Sequence, residues 1–249
     1  MLSAFSPEAW ARVWAFRDTF LLGLWTTVST AVLAILLAFS LGLLFGLFST
    51  GKIRLLRVIA RVYVEIIQNT PIVLQLCFMY YALVYAKRSI GITAAGILAL
   101  GIYHGAYMAE VIRAGIEAIP KGQFEAAQSQ GFSYIQQMGY IILPQSIKVI
   151  LPPMVNQVVN LIKNTSCLYI IGGADLISQT YSFVTGASTG GAYGPAYIVC
   201  GLMFFCVCFP LSRLAGRWEE RLKVRDRRTV AAVSSGPIPR RVIRRGQKP

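Results

Sequence analysis

Two stretches of this chain contain no charged side chain, residues 19–51 and 176–212. Each exceeds the roughly 20 apolar residues that a helix needs to cross the hydrocarbon core of a bilayer. No other feature restricts the fold as strongly. Inside that core every backbone N–H and C=O must be satisfied within the structure, and a single segment achieves this as an α-helix. Shorter apolar runs at residues 58–86, 91–112 and 152–171 fit the same role. The pattern predicts an all-α membrane protein of five transmembrane helices, at residues 20–48, 58–86, 91–112, 152–171 and 196–215. Composition agrees: 14% of the residues are charged, against about a quarter in a soluble domain. The first run has no basic stretch and no small-residue cleavage site before it, so it is expected to be retained rather than removed as a signal peptide.

Basic residues orient the five helices. Lys52, Arg54, Arg57 and Arg61 follow the first, Arg113, Lys121 and Lys148 follow the third, and twelve more lie beyond Leu211. The other side holds Arg12, Arg17, Lys87 and Arg88. The positive-inside rule therefore places residues 1–19 outside the cell and the C-terminus in the cytoplasm. The net charge of +14 does not point to nucleic acid, because half of the basic residues sit in the tail, where anionic lipid headgroups are the natural partner. Residues 223–249 form a basic tail, and residues 229–249, rich in Pro, Gly, Ser and Arg, are expected to be disordered. Residues 178–195, rich in Ser, Thr and Gly, are expected to be a flexible external loop. No cysteine has metal-ligand spacing with His or carboxylates, so no metal site is expected, and all five cysteines fall in predicted spans as packing residues. His104 is the single histidine, and a lone histidine in a span reads first as a packing residue, then as a proton relay.

Several spans carry polar residues that a membrane helix does not accept without reason. In the second, Asn69, Thr70 and Gln75 flank Pro71, which removes a backbone donor and invites a kink; the polar groups either satisfy freed carbonyls or line a cavity. In the third, Tyr103, Tyr107, Glu110 and Arg113 fall along one face, with Glu110 and Arg113 spaced to pair. In the fourth, Asn156, Gln157, Asn160, Lys163 and Asn164 fall within an arc of about 120°, while Thr165 and Ser166 lie elsewhere on the wheel. Such a stripe faces protein or water. Either it lines a solute path in which Lys163 attracts a carboxylate, or it is an interhelical seam with Lys163 paired to an acid such as Glu110.

The polar interruption at residues 117–144 contains Glu125-Ala126-Ala127, then Gly131, then Ile141 and Leu143-Pro144. A short helix with small alanines, a turn at Gly131 and the aromatics Phe132 and Tyr134 beyond it compose a helix–turn–helix suited to a groove on a soluble subunit. Residues 46–52 read GLFSTGK, most of a phosphate-binding loop. Ile53 replaces the Ser or Thr that holds magnesium, and a membrane helix stands where a strand should precede it. No catalytic residue or ATPase activity is expected in this chain.

These residues together resemble the permease subunits of ABC importers for polar amino acids, the histidine, glutamine and glutamate/aspartate branch. The carriers are Asn69-Thr70-Pro71; Glu110, Arg113, Gly115, Gly122 and Gln123; the Glu125 to Pro144 spacing; and Lys163-Asn164-Thr165-Ser166 with Gly172. The resemblance implies a type I importer fold over residues 20–222, in a bacterial cytoplasmic membrane. It implies a second permease subunit, identical or not, ABC ATPase subunits that use ATP and Mg, and an extracytoplasmic amino-acid-binding protein. Gly122, Gln123, Glu125, Ala126, Ala127, Gly131 and Phe132 would couple to the ATPase. Asn69, Thr70, Gln75, Tyr107, Glu110, Asn156, Gln157, Asn160, Lys163, Asn164 and Thr165 would line the path or contact a polar amino acid, with an acidic or amide side chain weakly preferred. The chain departs from the pattern at Gln68, where arginine is common, at Cys167, where leucine is usual, and in its arginine-rich tail. The rival reading is an ion-coupled carrier or channel that works alone, titrating Glu65, Glu110 or His104.

Overall fold

The computed structural model describes residues 5–87, 91–186 and 192–235, with side chains described as far as residue 222. It is helical throughout those residues: α1 Pro7–Ala15, α2 Arg17–Thr50, α3 Arg54–Gln68, α4 Ile72–Tyr85, α5 Ile92–Glu117, α6 Lys121–Ser129, α7 Tyr134–Gln136, α8 Leu143–Asn164, α9 Leu176–Thr185 and α10 Tyr193–Ser235. A π-helical turn, Gln137–Ile142, joins α7 to α8, and a 3-10 segment, Thr165–Ile171, follows α8. Among the described residues four helical runs are long and apolar enough to cross a membrane, and a bent pair, α3 with α4, makes a fifth when taken as one span.

The bundle is organised around α2 and α5. Ala31, Ala34 and Ala38 of α2 are buried against Leu100, Met108 and Ile112 of α5, and Ile142, Met154 and Leu161 close the core from the side of α8. Small residues allow the axes this close, since lipid gives helices no hydrophobic drive to associate and packing must hold them. A Cβ on Gly42 would stand 2.6 Å from Met108 Cβ, and one on Gly46 would stand 2.8 Å from Ile112 Cβ.

The second span differs from the expected straight helix at residues 58–86. The chain turns through 102° between α3 and α4, at Asn69-Thr70-Pro71. Pro71 adopts ψ 136° ahead of α4, and without an N–H it cannot extend α3. The fourth span begins earlier than residue 152: helix runs unbroken from Tyr134 to Ile171. Pro144 sits in the first turn of α8, and the carbonyl its ring would crowd, that of Tyr140, lies in the wider π-helical turn.

Part of the expected external loop is α9. Asp175 caps it, accepting from Ile177 N at 3.0 Å and from the Ser178 hydroxyl. Leu176, Thr180, Phe183 and Val184 form its buried face, and Leu176 N donates to Thr27 Oγ1 of α2 at 3.0 Å. Helical spacing of these apolar residues outweighs the Ser, Thr and Gly content that suggested a loop. Residues 187–191 of that loop lie outside the described residues. At the other end, α10 continues to Ser235 rather than stopping at residue 215, so residues 229–235 of the expected disordered tail are helical. Loss of apolarity marks the edge of a bilayer, whereas Glu, Arg, Leu and Lys all propagate helix in water. The remainder, 236–249, lies outside the described residues.

Candidate functional site

The segment at residues 117–144 folds into a short helix with one bare side. Along α6, Lys121, Gly122, Gln123, Glu125, Ala126 and Gln128 are exposed, Phe124 is half-buried, and Ala127 is buried. Gly131 adopts φ +79°, the left-handed conformation that glycine accepts freely. Gly131 N donates to Gln128 O at 2.9 Å and Phe132 N to Ala127 O at 3.1 Å, the paired bonds of a Schellman cap. Ser133 and Gln136 then form a reciprocal capping box that starts α7. Two residues fasten this segment: Gln137, which the sequence did not mark, and Tyr134, one of the aromatics expected beyond the turn. Gln137, 2% exposed, donates from Nε2 to Phe124 O at 3.0 Å. Tyr134 donates its hydroxyl to Thr50 O at 3.3 Å while Lys52 lies over its ring. Gln137 follows Gln136 and precedes Met138, and nothing in that order tells which of the two adjacent glutamines turns inward.

At the same end of α5, Arg113 grips Glu110 with Nε at 2.8 Å and Nη2 at 2.5 Å, and reaches Glu117 with Nη1 at 2.5 Å. The expected i, i+3 pair is therefore present, with Glu117 as a third member. One turn away the Tyr103 and Tyr107 hydroxyls lie 3.1 Å apart.

The polar residues of the second span are engaged at its break. Asn69 Nδ2 donates to Glu65 O at 2.8 Å and Thr70 Oγ1 to Ile66 O at 2.9 Å. Gln75 Nε2 reaches Ile67 O at 2.9 Å and Thr70 Oγ1 at 2.6 Å. The bonds to Ile66 O and Ile67 O fall on carbonyls at the end of α3, where helical partners run out, while Glu65 O keeps its backbone bond from Asn69 N at 3.2 Å.

On α8 the stripe holds together as a surface. Asn156, Asn160 and Lys163 are exposed, and Gln157 and Asn164 are half-buried. Thr165 is buried and Ser166 half-buried, each returning its hydroxyl to its own helix, at 2.7 Å from Ile162 O and Lys163 O respectively. The pairing of Lys163 with Glu110 is not what the structure contains. Both Glu110 oxygens are held by Arg113, and among the described residues Lys163 makes no ion pair. His104, 2% exposed, lies 3.1 Å from Asn164 Nδ2 through Nε2, tying α5 to α8. Residues 46–50 of the loop-like GLFSTGK are helical, with Gly46 turned against Ile112. Among the described residues no group of His, Cys, Asp and Glu is placed to hold a metal.

The sequence profile of a family described as binding-protein-dependent transport system inner membrane component matches residues 38–224. The chain is 37% identical over 221 residues to a probable glutamine ABC transporter permease protein, GlnP, of Bacillus subtilis, covering 88% of this chain and 98% of the relative. It is 33% identical to the glutamate transport system permease protein GluD of Corynebacterium glutamicum, covering 84% and 77%. Among solved structures, an amino acid ABC transporter crystallised with histidines superposes with a TM-score of 0.76 at 33% identity, over 83% of this chain and 95% of that one. The MetNI methionine ABC transporter shares the fold, with a TM-score of 0.64 at 17% identity over 82% and 98%.

Proposed function

Because this chain belongs to the family of binding-protein-dependent transport system inner membrane components, we propose that it carries a polar amino acid of the glutamine or glutamate kind through the membrane. It is a multi-pass inner-membrane permease subunit of an ABC importer. The amino-acid cargo is read from what its relatives are named for. The observation that carries the reading is α6, held from its inner face by Gln137 and Ala127 and bare on its outer face. A helix so placed suits a groove on an ATPase subunit, with Gly122, Gln123, Glu125 and Ala126 at the contact and the Gly131 turn setting its angle. That partner would hold and hydrolyse ATP with Mg. An extracytoplasmic amino-acid-binding protein would deliver cargo at the opposite end, with the N-terminus outside and the C-terminus in the cytoplasm, as the basic residues suggest.

The exposed stripe on α8 supports a second permease subunit. A lysine at the middle of a bilayer costs roughly 2.5–3.5 kcal/mol, so Lys163 and its asparagine neighbours belong against water or another permease rather than lipid. Between two such faces a polar path would form.

The test is affinity purification of the chain from its native membrane in mild detergent, with mass spectrometry of what accompanies it. An ATPase at about one copy per permease, the stoichiometry expected if each permease chain docks one ATPase, supports the reading, and a second permease species decides between identical and non-identical pairs. Recovery of the chain alone under several mild conditions, together with uptake driven by a proton or sodium gradient, would replace it with the carrier that works by itself.

A further inference from the structure

Where α2, α3 and α5 converge, at the end of the bundle that carries α6, a cavity of 430 Å³ opens. That is within the roughly 300–1,000 Å³ of pockets that hold small ligands. Three arginines and three glutamates line it, and the two helices that supply them use their charges differently. On α5, Arg113 is already engaged by Glu110 and Glu117. On α3, Arg57, Arg61 and Glu65 line the same cavity, and among the described residues none of the three makes an ion pair. They follow one another at four-residue intervals, about 6 Å per step along one helix face. Arg61 precedes Glu65, the order in which an i, i+4 pair on a helix is the weaker one, so both remain available to a third party.

The charges that line the cavity sum to zero, so a simple anion or cation gains little from it as a whole. A dipolar ion is different: it meets free guanidinium groups and a free carboxylate one helical turn apart. Gln68 also lines the cavity; its amide nitrogen reaches Ala106 O at 3.5 Å, and among the described residues no donor reaches its carboxamide oxygen. An adjoining cavity of 600 Å³, lined by Arg54, Arg57, Arg61 and Phe124, continues toward α6. None of the α8 stripe residues lines either one.

We propose that the cavity is a binding site for a free α-amino acid with an uncharged polar side chain, its carboxylate on Arg57 and Arg61, its ammonium on Glu65 and its side chain toward Gln68. The site rests on the amino-acid reading of the cargo given above, and it is separate from the path along α8. Opening at the α6 end, it is filled by amino acid already delivered, which makes transport responsive to its own product.

The experiment uses the permease assembled with its ATPase partner in lipid nanodiscs, without the binding protein, and follows equilibrium binding of radiolabelled L-glutamine. Loss of one charge-assisted hydrogen bond corresponds to about tenfold in affinity. R61Q and E65Q should each weaken binding by at least about that factor. With the wild-type complex, N-acetyl-L-glutamine, which lacks the ammonium, and L-glutaminamide, which lacks the carboxylate, should compete about tenfold less well than glutamine. Unchanged binding in both variants, equal competition by either analogue, or no glutamine binding at all overturns the site. ATP-driven glutamine uptake by the wild-type transporter with its binding protein, measured in proteoliposomes, separates the two readings. Uptake without binding in the cavity removes this inference alone, whereas uptake of no amino acid removes the cargo reading beneath it.

Discussion

Gln137 donates its side-chain amide to the backbone carbonyl of Phe124 at 3.0 Å, and through that bond the buried start of the fourth span holds the exposed helix α6. Gln137→Leu keeps the volume and removes the bond. Leaving a buried polar group unmatched costs about 1–3 kcal/mol, here local to α6. Amide hydrogen exchange should accelerate about tenfold or more in residues 121–129 and stay unchanged in α5; equal exchange in both proteins would mean that α6 is held by something else.

Gly131 at φ +79° makes the turn beyond α6. A valine there incurs roughly 1–2 kcal/mol of backbone strain and disturbs the bonds from Gly131 N and Phe132 N. Gly131→Val should insert normally, and the transporter assembled with it should hydrolyse ATP without matching uptake. The ratio of ATP hydrolysed to amino acid imported checks this, and a wild-type ratio in the variant counts against the docking role of α6.

Gly46 of α2 packs closely on the backbone of α5. A Cβ there meets the Ala109 carbonyl at 3.1 Å as well as Ile112, and a carbonyl has no rotamer by which to yield. Gly46→Val should destabilise the bundle by about 1–3 kcal/mol, read as a lower unfolding midpoint in detergent. Gly201→Ala, whose new Cβ has no neighbour within 4 Å, is the matched control and should not lower it.

Lys163 makes no ion pair among the described residues, and Glu110 is held by Arg113. Removing the lysine therefore strands no carboxylate. Lys163→Ala should slow uptake and leave assembly intact, measured as co-purification with the ATPase. Arg113→Ala should do the reverse, lowering thermal stability because Glu110 and Glu117 lose their shared cation.

Asp175 lies outside the spanning segments, and burial raises its carboxyl above the ordinary range despite the opposing bonds from Ser178 and Ile177. The folded chain then holds a proton there at pH values where the unfolded chain has released it. By linkage this contribution is full below the unfolded pKa and is lost as pH rises through the folded one. Stability of wild type should decline over that acidic window more steeply than that of Asp175→Asn, as unfolding midpoints across a pH series will show.

The bonding of the polar residues was only partly open to a linear reading. Glu110 and Arg113 meet because three residues of helix bring any such pair together, so their contact was visible in spacing. Asn69, Thr70 and Gln75 were visibly out of place in a span, but their bonding follows from the angle at which α4 leaves α3. Residues 178–185 misled because composition spoke of a loop, while their apolar residues were spaced for a helix that α2 and α10 together cover.

Taken alone, the order of residues determined that this chain lives in a membrane, that it is helical, and that the segment around Glu125 is a short helix with a turn at Gly131. Those properties depend on local hydropathy, helix period and backbone conformation, which neighbouring residues set. Tertiary structure decided the 102° break in the second span, the bond from Gln137 to Phe124, the engagement of Glu110 by Arg113 rather than Lys163, and the cavity that Arg57, Arg61 and Glu65 line together. Each of these depends on the distance between helices, and that distance is set by packing at glycines such as Gly42 and Gly46 across residues far apart in the chain.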